Sequence, residues 1–326
     1  MKVLVTGASG MLGGGVARKL ADRGDQVTVF QRRPSSLLGI REVTGDITDP
    51  AAVLRAAEGM DAVVHLAAKV NVTGPWAEYA AANIDGVRNL LSALRQTGTP
   101  RLVHVSSPSV AHHGRALVGA GAGPADPKHA RGNYARSKAV GEQLALEADD
   151  PDLAVVAIRP HLVWGPGDTQ LVGRIVERAR QGRLPLIGSG AALIDTTYVD
   201  NAVDATVAAL DRAELAHGQA LVVSNGEPRP VADLFARLCE AAGVPPPTRR
   251  VPFPVAWLAG AAVEGVWALG RRRDDPPLTR FLAEQLATAH WFDQRTTRAV
   301  LDWTPEVGLE EGFERMHRHY GLSATA

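Results

Sequence analysis

Lys2-Val3-Leu4-Val5-Thr6-Gly7-Ala8-Ser9-Gly10-Met11-Leu12-Gly13, next to the N-terminus, is the stretch whose reading decides the fold. Its first five residues form a short, valine-rich run of the kind that makes a strand buried on both faces. The run passes without a spacer into glycines at Gly7, Gly10 and Gly13. In a strand–turn–helix of this spacing Gly7 permits the tight turn, Gly10 lets the backbone approach a pyrophosphate, and Gly13 lets the helix pack against the sheet. The helix N-terminus then presents free N–H groups and a partial positive charge to the anion, with Ser9, Met11 and Leu12 completing the candidate cradle. A glycine triplet by itself marks only a turn. The strand before it and the helix after it make it a dinucleotide fingerprint.

Outward from this stretch the same alternation repeats. Strand-like runs are read at 2–6, 26–30, 40–45, 61–66, 101–106, 154–160 and 219–223. Helices at 13–23, 51–58, 77–95 and 134–148 have the length of βαβ crossovers. The fold class that follows is α/β, a doubly wound parallel sheet with a smaller, mostly helical C-terminal lobe. The Rossmann part is expected over 1–165, completed by about 195–225, and the substrate lobe over 166–194 and 226–326. The Gly/Ala-rich stretch 114–123 reads as a mobile loop.

Composition removes several function classes. Lys+Arg and Asp+Glu both number 35 in 326 residues, so no net field recruits nucleic acid. The single cysteine, Cys239, excludes an intrachain disulfide, fits a reducing cytoplasm, and reads as a small buried hydrophobe. MKVLV is too short for a signal peptide. The apolar stretch 251–270 has a helical part of roughly 22 Å, short of the ~30 Å core of a bilayer, so no span is expected. It reads either as a core helix or as an amphiphilic flap that lines an apolar pocket and touches a membrane or a partner. The histidines are scattered without metal-ligand spacing, so no metal is expected.

The end of the second strand reads Gln31-Arg32-Arg33, where an NAD enzyme usually carries an acid on the ribose. Arg32 and Arg33 suit the 2′-phosphate of NADP instead, although two arginines at a strand end could also be merely solvated. Asp46 and Ile47, after the third strand, sit where an adenine would be held. Tyr134 and Lys138, spaced i,i+4, share one face of a helix. A nearby lysine charge favours the phenolate and is expected to bring the tyrosine down from its usual ~10 toward neutrality. The pair follows Ser106-Ser107 at the end of the fifth strand, on the carboxyl edge where open α/β sheets bind ligands.

TGASGMLG, HLAAK, AANIDGVRNLL, VSSPSV, YARSK and IRPHLVWGPG together resemble the extended short-chain dehydrogenase/reductase superfamily. DTTYVDNA, SNGEP, PPLTRFLAEQL, HWFD and LDWTPEVGLEEG are similar to its 3β-hydroxysteroid dehydrogenase-like branch. The resemblance implies that Tyr134 is the general acid/base, Lys138 its tuner and a ribose ligand, and Ser107 the partner of the reacting oxygen. Asn83 would position a helix bend and a proton relay. Ala67, Ala68, Lys69 and Pro160 would line the cofactor. The implied reaction is NADP(H)-dependent reduction of the 3-keto group of a hydrophobic substrate, a 2-alkyl-3-oxoalkanoate first. A 3β-hydroxysteroid or 4-carboxysterol dehydrogenase and a sugar-nucleotide epimerase/dehydratase are the alternatives. Unlike the sugar-nucleotide enzymes, this chain follows Val110 with Ala111-His112-His113. Those histidines could anchor a substrate carboxylate or be ordinary exposed loop residues. A homodimer through helices 77–95 and 134–148 is also implied.

Overall fold

The computed structural model describes residues 1–35, 37–71, 74–112, 114–269 and 276–323. His113 and Arg271-Arg272-Arg273 lie outside the described residues. The seven strands read from the sequence all form, within a residue or two of their expected ends. They are β1 (Lys2–Thr6), β2 (Gln26–Gln31), β3 (Arg41–Thr44), β4 (Ala62–His65), β5 (Arg101–Val105), β7 (Ala154–Pro160, after a β6 described below) and the strand Ala220–Val223. They make one parallel sheet in the order 220–223, β7, β5, β4, β1, β2, β3. The order reverses between β1 and β4, which opens the crevice where such sheets take ligands.

Both faces are covered, which is why the strands lack polar alternation. Leu4, Val63, Leu102 and Val155 face one core with α2 (Pro50–Ala57) and α4 (Gly86–Thr97). Val3, Val5, Val103 and Val156 face the other, with α1 (Met11–Asp22) and the helix Val199–Asp211. Helix 77–95 is interrupted. A short α3 (Trp76–Ala80) passes into a π-helical turn, Ala81–Asp85, before α4 begins.

The stretch 114–123 is not a mobile loop. Leu117–Ala120 forms β6, which pairs in parallel with His290–Phe292 in a second, four-stranded sheet. Beneath it Arg159, 1% exposed, donates to the carbonyls of Ala122 and Gly123 and pairs with Glu142 of α5 (Gly132–Glu147). A buried guanidinium needs every one of these acceptors, and they immobilise the segment.

The apolar C-terminal stretch is a surface helix, not a core one. Phe253–Leu269 buries Ala256 against Ile187 and Ala283 but leaves Val255, Leu258 and Val266 more than half exposed. Among the described residues no helix is long and apolar enough to cross a membrane. Cys239 is buried, as its apolar setting predicts.

Candidate active site

The crevice begins where β1 ends. Gly7 has φ +76°, and a side chain built on it would come within 2.7 Å of the Ala67 amide nitrogen. One built on Gly13 would come within 2.4 Å of the Gly7 carbonyl oxygen. Only glycine fits either place, because turn, helix and the β4 edge share one small volume. Thr6 Oγ1 locks that edge by accepting from Leu66 N and Ala67 N, each at 3.1 Å, and shares a proton with His65 Nδ1 at 2.8 Å. Gly10 is the N-cap of α1 and supplies no side-chain cap, so the first-turn N–H groups remain available to an anion. Ser9 and Gly10 are exposed at this mouth, with Met11 and Leu12 half-buried behind them. The cradle has the shape and donors that a pyrophosphate needs.

At the outer end of the crevice Gln31 is buried and donates to Glu42 at 3.1 Å. Glu42 also accepts from the Ser35 hydroxyl and amide, at 2.7 and 2.8 Å. Those Ser35 bonds, aided by Gln31, hold its carboxyl below the usual range. The acid nearest the end of β2 is therefore occupied in shaping the loop. Arg32 and Arg33 are exposed on that loop. Asp46 accepts from the Thr48 amide and hydroxyl, and Ile47 is buried with its carbonyl taken by Asn89.

The chemistry-bearing residues converge on the ends of β4 and β5. Ser107 caps a short 3₁₀ turn, Pro108–Ala111, that directly follows β5, and its hydroxyl lies 2.9 Å from Ser109 Oγ. Tyr134 lies in the first turn of α5, near enough to Ser107 for the serine hydroxyl to favour its phenolate. Burial pushes its phenol above the ordinary value, and the Ser107 hydroxyl pulls it only part of the way back. The expected downward shift from Lys138 is not what the structure shows. Lys138 directs its Nζ to the Val105 carbonyl at 2.7 Å, and burial brings its ammonium down to about 8 against the pull of Glu142. Tyr134 is thus a neutral phenol at neutral pH, a proton donor by default. Burial, followed by the Lys138 charge, also keeps His65 (down to about 3) and His104 uncharged.

Asn83 sits in the π-helical turn, 2% exposed. Its amide donates to the Lys69 carbonyl at 3.1 Å and to Ser137 Oγ at 2.9 Å, while its oxygen accepts from Lys69 N at 2.7 Å. One carboxamide therefore ties the loop after β4, which carries Ala67, Ala68 and Lys69, to the helix that carries Tyr134. The Lys69 side chain is turned away, paired with Glu78 at 2.7 Å. Pro160 closes β7, opposite Val223 of the neighbouring strand.

Other groups here were not legible in the sequence. His112 is 3% exposed, not a solvated loop histidine. It lies edge-on to Phe281 and His290, within 3.3 Å of the Gln285 amide nitrogen. Arg131, the N-cap residue of α5, lies 3.9 Å from Glu284, which accepts from Trp257 Nε1 at 3.1 Å. Only the position of Arg131 three residues before Tyr134 hinted at it. Among the described residues no group of three His, Cys, Asp or Glu side chains is placed to hold a metal ion.

Known proteins place this geometry in context. A solved structure, UDP-glucuronic acid 4-epimerase from Bacillus cereus in complex with NAD, matches with TM-score 0.74 at 20% identity, over 99% of each chain. That likeness carries the fold. The 2-alkyl-3-oxoalkanoate reductase of Stenotrophomonas maltophilia is 44% identical over 97% of this chain and 98% of its own length. A decarboxylating sterol-4-alpha-carboxylate 3-dehydrogenase of Schizosaccharomyces pombe is 30% identical over 96% of this chain and 95% of its own. The profile of the NAD dependent epimerase/dehydratase family matches residues 3–224. With the glycine cradle and the Ser-Tyr-Lys cluster on one sheet edge, the chain belongs to the NAD dependent epimerase/dehydratase family, the extended short-chain dehydrogenases/reductases.

Proposed function

We propose that this enzyme reduces the 3-keto group of a 2-alkyl-3-oxoalkanoate to the 2-alkyl-3-hydroxyalkanoate, with NADP(H) preferred over NAD(H). The observation that carries the reading is the end-to-end likeness to the Stenotrophomonas reductase. It is supported by a tyrosine held as a neutral acid beside a serine hydroxyl. Gly7, Ser9, Gly10, Met11, Leu12 and Gly13 would hold the pyrophosphate. Asp46 and Ile47 would take the adenine, Arg32 and Arg33 the 2′-phosphate. Ala67, Ala68, Lys69 and Pro160 would flank the rest of the cofactor. When bound, the reduced nicotinamide supplies the hydride that becomes the new C–H bond at C3.

The chain's own residues do the remainder. Ser107 donates to the ketone oxygen and stabilises the charge that grows there. Tyr134 gives that oxygen its proton. Lys138 holds ribose hydroxyls and the polarity around the phenol, and Asn83 keeps α5 in register with the loop after β4. On this reading 1–165, completed by about 195–225, binds the dinucleotide. Residues 166–194 and 226–326 shape the substrate side. The exposed apolar stripe on Phe253–Leu269 fits a role in receiving long alkyl chains, from a membrane surface or a partner, by a cytoplasmic enzyme. A homodimer through α4 and α5 is part of the same proposal.

The test follows NADPH oxidation with 2-alkyl-3-oxoalkanoates beside NADP reduction with 3β-hydroxysteroids and conversion of UDP-sugars. Turnover of the oxoalkanoates is expected to exceed the others. Turnover of steroids or UDP-sugars alone overturns the reading.

A further inference from the structure

The substrate proposed above is a β-keto acid, and such a molecule has a second fate. The electron pair of the bond between C2 and the carboxylate can move toward the ketone, leaving CO2 and an enol that becomes the 2-alkyl chain's ketone. Protonation of the ketone oxygen promotes this cleavage. The same proton is what Tyr134 supplies during hydride addition. Ser107 and Tyr134 alone would therefore favour both reactions. The two transition states differ in one respect. Hydride addition leaves the carboxylate charge in place, whereas cleavage abolishes it as neutral CO2. A cation fixed on the carboxylate stabilises the first path relative to the second.

Arg131 is placed to be that cation. It is the N-cap residue of α5, one helical turn before Tyr134, and its side chain is about half exposed. Its guanidinium lies 3.9 Å from Glu284 Oε1, close enough for Coulombic attraction and too far for a hydrogen bond. Its donors therefore stay open while its position is set. Glu284 is itself 8% exposed and anchored through Trp257, and its second oxygen is buried with no partner. A side chain at Gly114 would intrude to 3.0 Å from the Arg131 guanidinium and 3.3 Å from Glu284 Oε2. The glycine leaves open the space between the segment after the 3₁₀ turn and the helix Arg280–Ala287. The wall of that space carries His112 and Gln285, whose amide nitrogen lies 3.3 Å from the imidazole.

We infer that Arg131 takes the carboxylate of the β-keto acid and thereby directs the bound substrate to reduction instead of CO2 loss. Glu284 is a positioning residue that aims the guanidinium. The inference rests on the proposed oxoalkanoate reading.

The experiment compares parent, Arg131→Met and Arg131→Lys on a 2-alkyl-3-oxoalkanoate and on its methyl ester, which cannot lose CO2. Hydroxy acid, hydroxy ester and ketone are quantified against an enzyme-free control. NADPH affinity and thermal melting check that each variant is folded. Arg131→Met should lower the acid-to-ester ratio of kcat/KM by about 10- to 100-fold, the scale of a charge-assisted hydrogen bond. It should also raise the enzyme-dependent yield of ketone from the acid, and Arg131→Lys should recover part of both. An unchanged acid-to-ester ratio, or a ketone yield no higher than the parent's, overturns the inference. A parent that reduces neither acid nor ester overturns the functional reading instead, so the two failures are told apart.

Discussion

The cofactor cradle and the apolar C-terminal helix are built on different principles. On the cofactor side, glycines sit where no side chain fits, and a buried hydrogen-bond network through Thr6 and Asn83 joins three elements. In the C-terminal part, the helix Phe253–Leu269 rests on a small cluster of Ile187, Ala256 and Ala283 and shows its apolar residues to solvent. The first arrangement is over-determined by sterics; the second is held by a modest contact area. Under the proposed function, such a design would keep the hydride donor and the acid in fixed geometry and leave the apolar helix to receive the alkyl chains. On that proposal, binding energy on the fixed side would serve the transition state, whereas energy on the loose side would sort substrates.

The largest effect in this comparison should come from the fixed side. Tyr134→Phe removes the proton donor and leaves the ring, so kcat should fall by about 10²- to 10⁴-fold with NADPH affinity close to the parent's. Single-turnover kinetics beside calorimetric titration of NADPH separate the two quantities. A phenylalanine variant with a large share of the parental kcat would remove Tyr134 from the mechanism.

Arg32 and Arg33 test whether the outer end of the crevice is as determined as its centre. Both are exposed, and Glu42 is already engaged by Ser35 and Gln31. NADPH should bind more tightly than NADH, and Arg32→Asp should shrink that preference by about 10- to 100-fold through loss of a charge-assisted contact and gain of a like charge. Equal affinities for the two cofactors in the parent chain would refute the claim.

The pH dependence of reduction reports Lys138. Its ammonium is brought down to about 8 by burial, so the charged form is present below that value and lost above it. The Tyr134 phenol, pushed above its ordinary value, stays protonated through the same range. Reduction should therefore hold steady through neutrality and decline as pH rises past about 8, approaching tenfold per unit if only the charged form works. A profile that stays flat well into the alkaline range would show that the Lys138 charge is not required.

What could be read in the sequence follows the same division. Most of the seven strands were legible because each is a short, largely apolar run closed by a turn, and burial on both faces leaves little other use for such a run; β3, Arg41–Thr44, is a partly exposed edge strand. Gly7 and Gly13 were legible because only glycine satisfies a close backbone approach. The stretch 114–123 was not, since its glycines suggest freedom, while its order comes from His290–Phe292 and Arg159, far along the chain. The exposed-loop reading of His112 failed for the same reason, because Phe281 and Gln285 enclose it. The direction of the Tyr134 shift also escaped the i,i+4 argument. That spacing places Lys138 on the same face, but only the fold reveals the burial that pushes the phenol upward.

Two glycines sharpen the contrast at its smallest scale. Gly13 lies inside α1 and Gly265 inside the helix Phe253–Leu269, so propensity alone favours alanine at both. At Gly13 the added methyl would meet the Gly7 carbonyl oxygen at 2.4 Å, a backbone atom that moves only if the phosphate turn moves with it. Gly13→Ala should cost about 1–3 kcal/mol in stability, as overpacking does, and weaken NADPH binding in the same variant. At Gly265 the methyl meets nothing within 4 Å, so Gly265→Ala should stabilise by about 0.5–1 kcal/mol through lower backbone entropy in the unfolded chain. Urea midpoints for the two variants, with m-values checked for constancy, give both numbers on one scale. Opposite signs are expected. Destabilisation at both positions would mean that the helix Phe253–Leu269 is packed as tightly as the cofactor cradle, and the division between a fixed and a loose side would fail.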